Sequence, residues 1–155
     1  MTSEFDGFDD ASLPALLRAA RTTYAVVVRE ALTAAGFDDL PRNGPYVIGA
    51  IARAGAPLSQ IIKELGVTKQ AAGQLVDTLV GRGYLDRSVD TEDRRRLTVT
   101  LTGRGRAAAA ASRSAVERVN AKLAKIVPPE YIAHARVTLA AIAHVKGAID
   151  GPNDG

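Results

Sequence analysis

The chain is predicted to be mainly α-helical with one small β-hairpin. Three observations carry that prediction. Alanine is abundant while aromatic residues supply only 5% of the 155 positions, a composition that leans toward helix. Apolar residues recur at steps of three and four along most of the length. A single stretch, Tyr84 to Leu101, switches to the alternation of Val, Leu and Thr with polar residues that marks strands.

Each element can be justified in order. Residues 1–10 form an acidic arm expected to be disordered. From Ala11 to Ala35, Leu13, Leu16, Leu17, Ala20, Tyr24, Val27, Val28, Ala31 and Leu32 trace one face of a long helix. Ser12 and Pro14 suit its first turn, and Gly36 its end. A polar connection, "DDLPRNG", leads to a short helix carrying Tyr46, Val47, Ile48 and Ile51. "LSQIIKELG" is the next helix, with Ser59 a suitable N-cap and Gly66 the stop. Thr68 caps a fourth helix whose buried face is expected to hold Ala72, Leu75, Val76 and Leu79. "YLDRSV" and "RLTVTL" read as paired strands around the loop "DTEDRR". A helix from Thr102 to about Ile126 is broken by Pro128 and Pro129, and a last helix runs to about Ile149. Residues 150–155 are a loose tail, so residues 11–149 are expected to be one domain.

Charge and composition exclude several function classes. With no cysteine, disulfides, thiolate metal sites and thiol redox sensing are ruled out. No apolar run is long enough to span a membrane, and the acidic N-terminus is not a secretory signal, so a cytoplasmic location is expected. His134 and His144 are ten residues apart without an acidic partner at helical spacing, which suits solvated or interface positions better than zinc ligands. No nucleophile, base and acid can be assembled, so neither catalysis nor a cofactor is expected. "GRGRAA" at 103–108 imitates a dinucleotide loop, but no βαβ unit surrounds it. The net charge of +3 hides an asymmetry: setting aside the four acids of the first ten residues, 20 bases face 13 acids. A basic body suits a polyanionic partner.

The middle of the chain specifies that partner. A tight turn between two helices needs a residue tolerant of positive φ, which Gly66 supplies, with Val67 filling the angle between them. The second helix then exposes Lys69, Gln70, Gly73, Gln74 and Asp77. Lys69 can reach phosphate or guanine, and Gln70 and Gln74 can pair with the N6/N7 edge of adenine in a major groove. Gly73 lets the helix approach closely. In the hairpin loop, Arg94, Arg95 and Arg96 repel one another, which a structural turn gains nothing from. A phosphate backbone or narrow minor groove does gain. Asp90, Glu92 and Asp93 can pair with them and brace the loop.

Here the residues resemble a family. Gly66-Val67-Thr68, Leu75-Val76-Asp77, Leu79, Arg82-Gly83-Tyr84-Leu85, Asp90-Thr91-Glu92-Asp93-Arg94-Arg95 and Leu101-Thr102-Gly103-Arg104-Gly105 look like the MarR family of winged helix-turn-helix regulators. The likeness extends over 11–148 in element order and is sharpest from 59 to 105. It implies a winged helix-turn-helix DNA-binding lobe, about 43–101, flanked by long dimerisation helices, about 11–35 and 103–149. It also implies a homodimer on double-stranded DNA at a pseudo-palindromic operator, with a small aromatic or anionic effector able to release it. In that likeness Ser59, Thr68, Lys69, Gln70, Gly73, Gln74, Arg94, Arg95 and Arg96 are the DNA-binding set. Arg95 would enter the minor groove, and Asp90 and Asp93 would order the wing. Arg18, Tyr24, Arg42 and Tyr46 form the candidate effector pocket, although amphipathic faces ordinarily carry such residues as packing.

Two positions depart from the pattern. Ile62 stands four before the turn glycine, where a small residue is usual, and Ala72 six after it, where a larger aliphatic is usual. A basic residue near Gln74 and a hydroxyl near Gly73 are also missing. The expected function is a sequence-specific transcriptional regulator, a ligand-responsive repressor. The competing expectation is a winged-helix protein–protein adaptor, which would need an apolar recognition face.

Overall fold

A computed structural model describes residues 7, 8, 10–54, 58–89 and 97–149. In chain order these form α1 (Leu13–Ala34), α2 (Gly44–Ala54), α3 (Leu58–Leu65), α4 (Lys69–Gly81), β1 (Leu85–Val89), β2 (Leu97–Leu101), α5 (Gly103–Leu123) and α6 (Pro129–Ile149). The fold is a winged helix-turn-helix, mainly α with one two-stranded antiparallel hairpin. The chain divides into two compact units, Met1–Glu117 and Arg118–Gly155.

The first unit holds the core. Leu32 of α1, Leu40 of the α1–α2 connection, Val47, Ile48 and Ala50 of α2, Ile61 of α3, Leu79 of α4, Tyr84 and Leu85 at the hairpin's start, and Ala108 and Ala109 of α5 form one buried cluster. Removing such side chains from water is the main drive for the assembly. Val28, Phe37, Leu65, Leu75 and Val99 pack against it half-buried. Leu75 therefore lies at the margin of the buried face of α4, which is formed by Ala72, Val76 and Leu79.

Gly66 and Gly105 place neighbouring elements. Gly66 sits at φ +64° in the turn between α3 and α4, a conformation that costs an L side chain strain. Gly105 lies in the first turn of α5 against the backbone of Tyr84, and a Cβ there would stand 2.1 Å from the Tyr84 carbonyl oxygen. This contact seats the N-terminal end of α5 on the residue just ahead of the hairpin's first strand.

Several expected boundaries shift. Ser59 was expected to cap α3 but stands within its first turn, because the helix already begins at Leu58. Tyr84 was expected to open the first strand but lies ahead of it, fully buried, and pairing starts at Leu85 opposite Leu101. A bulky ring is accommodated better in the core than on a two-stranded ribbon with a solvent face. The helix α5 stops at Leu123, and Ala124–Ile126 form a turn before Pro128. The volume exchange at Ile62 and Ala72 resolves simply. Ile61 is the fully buried aliphatic of α3, Ile62 is half-buried, and Ala72 is buried at 1% exposure.

In the second unit, α6 starts at a proline in its first position, where the missing N–H costs no intrahelical bond. Tyr131, Val137, Leu139, Ile142 and Val145 along it are all exposed, with Val137 at 70%. No described helix is long and apolar enough to cross a membrane.

Candidate nucleic-acid interface

The site is built on α4. Thr68 is extended (φ −64°, ψ 154°), and its Oγ1 accepts from the Ala71 N–H at 3.2 Å, so the expected cap is formed. Capping fixes where the helix begins and therefore which residues share its faces. Ala72, Val76 and Leu79 turn into the core. Lys69, Gln70, Gly73, Gln74 and Asp77 are all exposed. Gln70, Gly73, Gln74 and Asp77 follow helical spacing, so they form one polar face. Nothing stands within 4 Å of a Cβ built at Gly73, so that glycine leaves a shallow gap on the face. Ser59 on α3 is exposed as well.

The hairpin lies beside this helix. Its register runs Leu85↔Leu101, Asp86↔Thr100, Arg87↔Val99, Ser88↔Thr98 and Val89↔Leu97. Leu85 faces the core, and the Ser88 and Thr98 hydroxyls meet across the strands at 2.7 Å. Arg87 of β1 forms an ion pair and hydrogen bond with Asp77 of α4. This pair ties the exposed face of the helix to the hairpin, and sequence spacing gave no sign of it. Asp90, Asp93, Arg94, Arg95 and Arg96, the expected wing tip, lie outside the described residues.

A second set of contacts converges at the C-terminal end of α4. The Tyr84 hydroxyl donates to Asp39 Oδ1, and Arg104 Nη2 donates to the same oxygen at 3.0 Å. Arg104 also places its guanidinium 4.4 Å from the centre of the Tyr84 ring and donates through Nη1 to the Arg82 carbonyl at 2.6 Å. Arg82 in turn donates to the Asp39 carbonyl. Burial, followed by donation to Asp39, pushes the Tyr84 hydroxyl up to about 12. The bond from Tyr84, followed by the charges of Arg104 and Arg82, holds the Asp39 carboxyl below its ordinary value despite an opposing contribution from burial. Thr102 Oγ1 donates to the Gly83 carbonyl at 2.6 Å and accepts from Gly105 N–H at 2.9 Å, so Thr102 caps α5 and also fastens the hairpin's end. Sequence reading missed Asp39 because its partners stand 43 to 65 positions away and no local pattern marks it.

The candidate effector residues separate. An open groove of about 620 Å³ is lined by Arg18, Arg21, Arg29 and Arg42, with Glu30 and Asn43. Arg18 and Arg42 thus meet, whereas Tyr24 and Tyr46 are not among its lining. Tyr46 donates instead to Glu64 Oε2 at 2.8 Å, fastening α2 to α3, and Tyr24 is half-buried on α1. Burial first and the Glu64 bond second raise the Tyr46 hydroxyl above its ordinary value. Arg29 donates to the Leu40 carbonyl at 2.9 Å.

Residues 38–96, from the α1–α2 connection to the end of the hairpin loop, match the profile of the MarR family. That segment is similar to the MarR family. MarR-family proteins are transcription regulators and not enzymes. No curated relative matches the chain by sequence. Solved structures share its fold over most of both chains. FabT of Streptococcus pneumoniae, crystallised with DNA, is 23% identical, covers 87% of this chain and 95% of its own, and superposes with a TM-score of 0.71. MepR of S. aureus, also in a DNA complex, is 19% identical over 91% of this chain and 99% of its own, with a TM-score of 0.69. A MarR family protein of Mycobacterium tuberculosis in complex with salicylic acid is 23% identical over 86% and 98%, with a TM-score of 0.59. The matched segment contains α2 to α4 and β1, so the match spans the polar face of α4, and the fold continues on either side of it.

Proposed function

We propose that the protein is a sequence-specific DNA-binding transcriptional regulator, a repressor acting as a homodimer on a pseudo-palindromic operator. The observation that carries this reading is the capped α4, whose Lys69, Gln70, Gly73 and Gln74 are all solvent-exposed beside the hairpin. A helix of that kind reads base edges through glutamines and reaches phosphate through lysine. The DNA complexes among structures of the same fold support it. An adaptor would need an apolar recognition face, and this face is polar.

The dimer is supported by the apolar side chains left in water on α1 (Leu13, Leu16, Val26) and on α6 (Val137, Leu139, Ile142, Val145). Release by an anionic effector is supported by the four-arginine groove and by the salicylic acid complex of the mycobacterial protein. Arg95 is proposed to enter the minor groove, with Arg94 and Arg96 on phosphate and Asp90 and Asp93 bracing the loop.

The test is a mobility shift with the DNA upstream of the protein's own gene. A shift is expected at low salt, and its absence there would overturn the reading. Gln70→Ala or Gln74→Ala should relax discrimination among operator variants by about 1–3 kcal/mol per lost pairing. Arg95→Ala should flatten the log–log salt dependence by about 0.9 if one phosphate contact is lost.

A further inference from the structure

The contacts around Asp39 tie three other positions of the chain to one residue. Asp39 belongs to the connection between α1 and α2, Arg82 follows the last turn of α4, Tyr84 precedes β1, and Arg104 lies in the first turn of α5. Oδ1 of Asp39 accepts from both Tyr84 and Arg104, and the Asp39 carbonyl accepts from Arg82. Arg104 closes the ring by donating to the Arg82 carbonyl. Each donor comes from a different end: the C-terminal end of α4, the entry to β1, and the exit from β2 into α5. The backbone at the same place is continuous with these bonds. Tyr84 N–H donates to the Leu79 carbonyl at 2.9 Å, and Thr102 N–H donates to the Tyr84 carbonyl at 3.1 Å. These bonds join the C-terminal end of α4 to the start of the hairpin and to the first turn of α5.

We propose that Asp39 is a positioning residue for DNA binding: it fixes how α4 and the hairpin are presented together, acting through Tyr84, Arg82 and Arg104 without touching DNA. This rests on the DNA-binding reading above. The chemistry favours a carboxylate. Tyr84 is fully buried as a ring, and its hydroxyl needs an acceptor. The carboxylate accepts from Tyr84 and Arg104 together, and its negative charge offsets the two guanidinium groups gathered at this residue, Arg104 on the side chain and Arg82 on the main-chain carbonyl. An asparagine would retain an oxygen for Tyr84 but would lose the attraction for the arginines.

The experiment compares Asp39→Ala, Asp39→Asn and the milder Tyr84→Phe with the wild-type chain, below their unfolding temperatures. Amide exchange is followed at Tyr84 and Thr102, and at Ile48 and Ile61 as core references. In Asp39→Ala, exchange at Tyr84 and Thr102 should quicken by about tenfold while the references hold, because opening is local. Binding to the upstream DNA should weaken by about tenfold while affinity for unrelated DNA stays put, because phosphate contacts are retained and only register is lost. Asp39→Asn should fall between, and Tyr84→Phe should show the same local pattern more weakly. Unchanged exchange at Tyr84 and Thr102, or equal acceleration at all four amides, overturns the proposal. So does an equal loss of specific and unspecific affinity. A wild-type chain that fails to shift its upstream DNA refutes the regulator reading itself, and the exchange arm alone then decides whether Asp39 holds the joint.

Discussion

The helices α5 and α6 are each 21 residues long and behave in opposite ways. The first is the more polar, yet it buries Gly105, Ala108, Ala109, Ser112 and Ala115. These fall at steps of three and four, so they form a seam of small side chains, and at its Gly105 end the backbone of Tyr84 approaches closely. Ser112, the buried polar side chain of α5, bonds back to the Ala108 carbonyl at 3.0 Å. The second carries larger apolar residues and leaves Tyr131, Val137, Leu139, Ile142 and Val145 in water. The comparison teaches that apolar content alone does not bury a helix. Burial requires a surface to pack against, and the buried part of α5, Gly105 to Ala115, has one within the first unit. A helix apolar on several faces calls for contacts on several faces, which a second copy of the chain would supply.

The sharpest way to break the seam is Gly105→Ala. Its Cβ would meet the Tyr84 carbonyl oxygen, so α5 would have to move off the hairpin, and we expect a loss of about 3 kcal/mol, the upper end for overpacking. Urea unfolding would measure it, and a change under half that size would mean the approach is slack. The exposed face of α6 can be tested with Leu139→Glu together with Ile142→Glu, which share one side of the helix. Dimer dissociation in sedimentation should rise by about a hundredfold, the scale of losing two buried aliphatics at an interface. If the doubly charged variant assembles as the wild type does, α6 does not form the interface.

Smaller effects probe the recognition side. Thr68→Ala removes the acceptor for the Ala71 N–H and should cost about 1 kcal/mol in thermal unfolding, while Thr68→Ser should restore most of it. The pH profile gives the subtlest signal. The folded-state pKa of Asp39 is lowered, so its contribution is complete above the unfolded value and is lost as pH falls through the folded one. That of Tyr84 is raised to about 12, so its contribution is present below the ordinary value near 10 and is lost as pH climbs toward 12. Stability from this pair should therefore be flat from about pH 5 to 9 and fall outside that window. Asp39→Asn should remove the acid limb, and a persistent limb would assign it to another carboxylate.

Much of the recognition side was legible in the sequence because its signals are local. Thr68 caps three residues ahead, Gly66 supplies one positive φ, and the exposed face of α4 follows from its helical period. Boundaries were less legible where a tertiary demand outweighed a local one. Tyr84 has strand propensity, but the core took its ring, and Ser59 has cap chemistry, but α3 begins one residue earlier. The effector set split for the same reason. Arg18 and Arg42 share a groove, while the polar end of Tyr46 found Glu64 on the neighbouring helix.

By itself, then, the sequence determined which segments are helix or strand, where the tight turn falls, and which side chains of α4 meet solvent. Periodicity, caps and turn residues act within a few positions of where they are written. Only the tertiary structure decided that Asp39 would gather Tyr84, Arg82 and Arg104, that Arg87 would pair with Asp77, and that four arginines would line one groove. Those meetings join residues distant along the chain, and they depend on how helices pack, which no local pattern encodes.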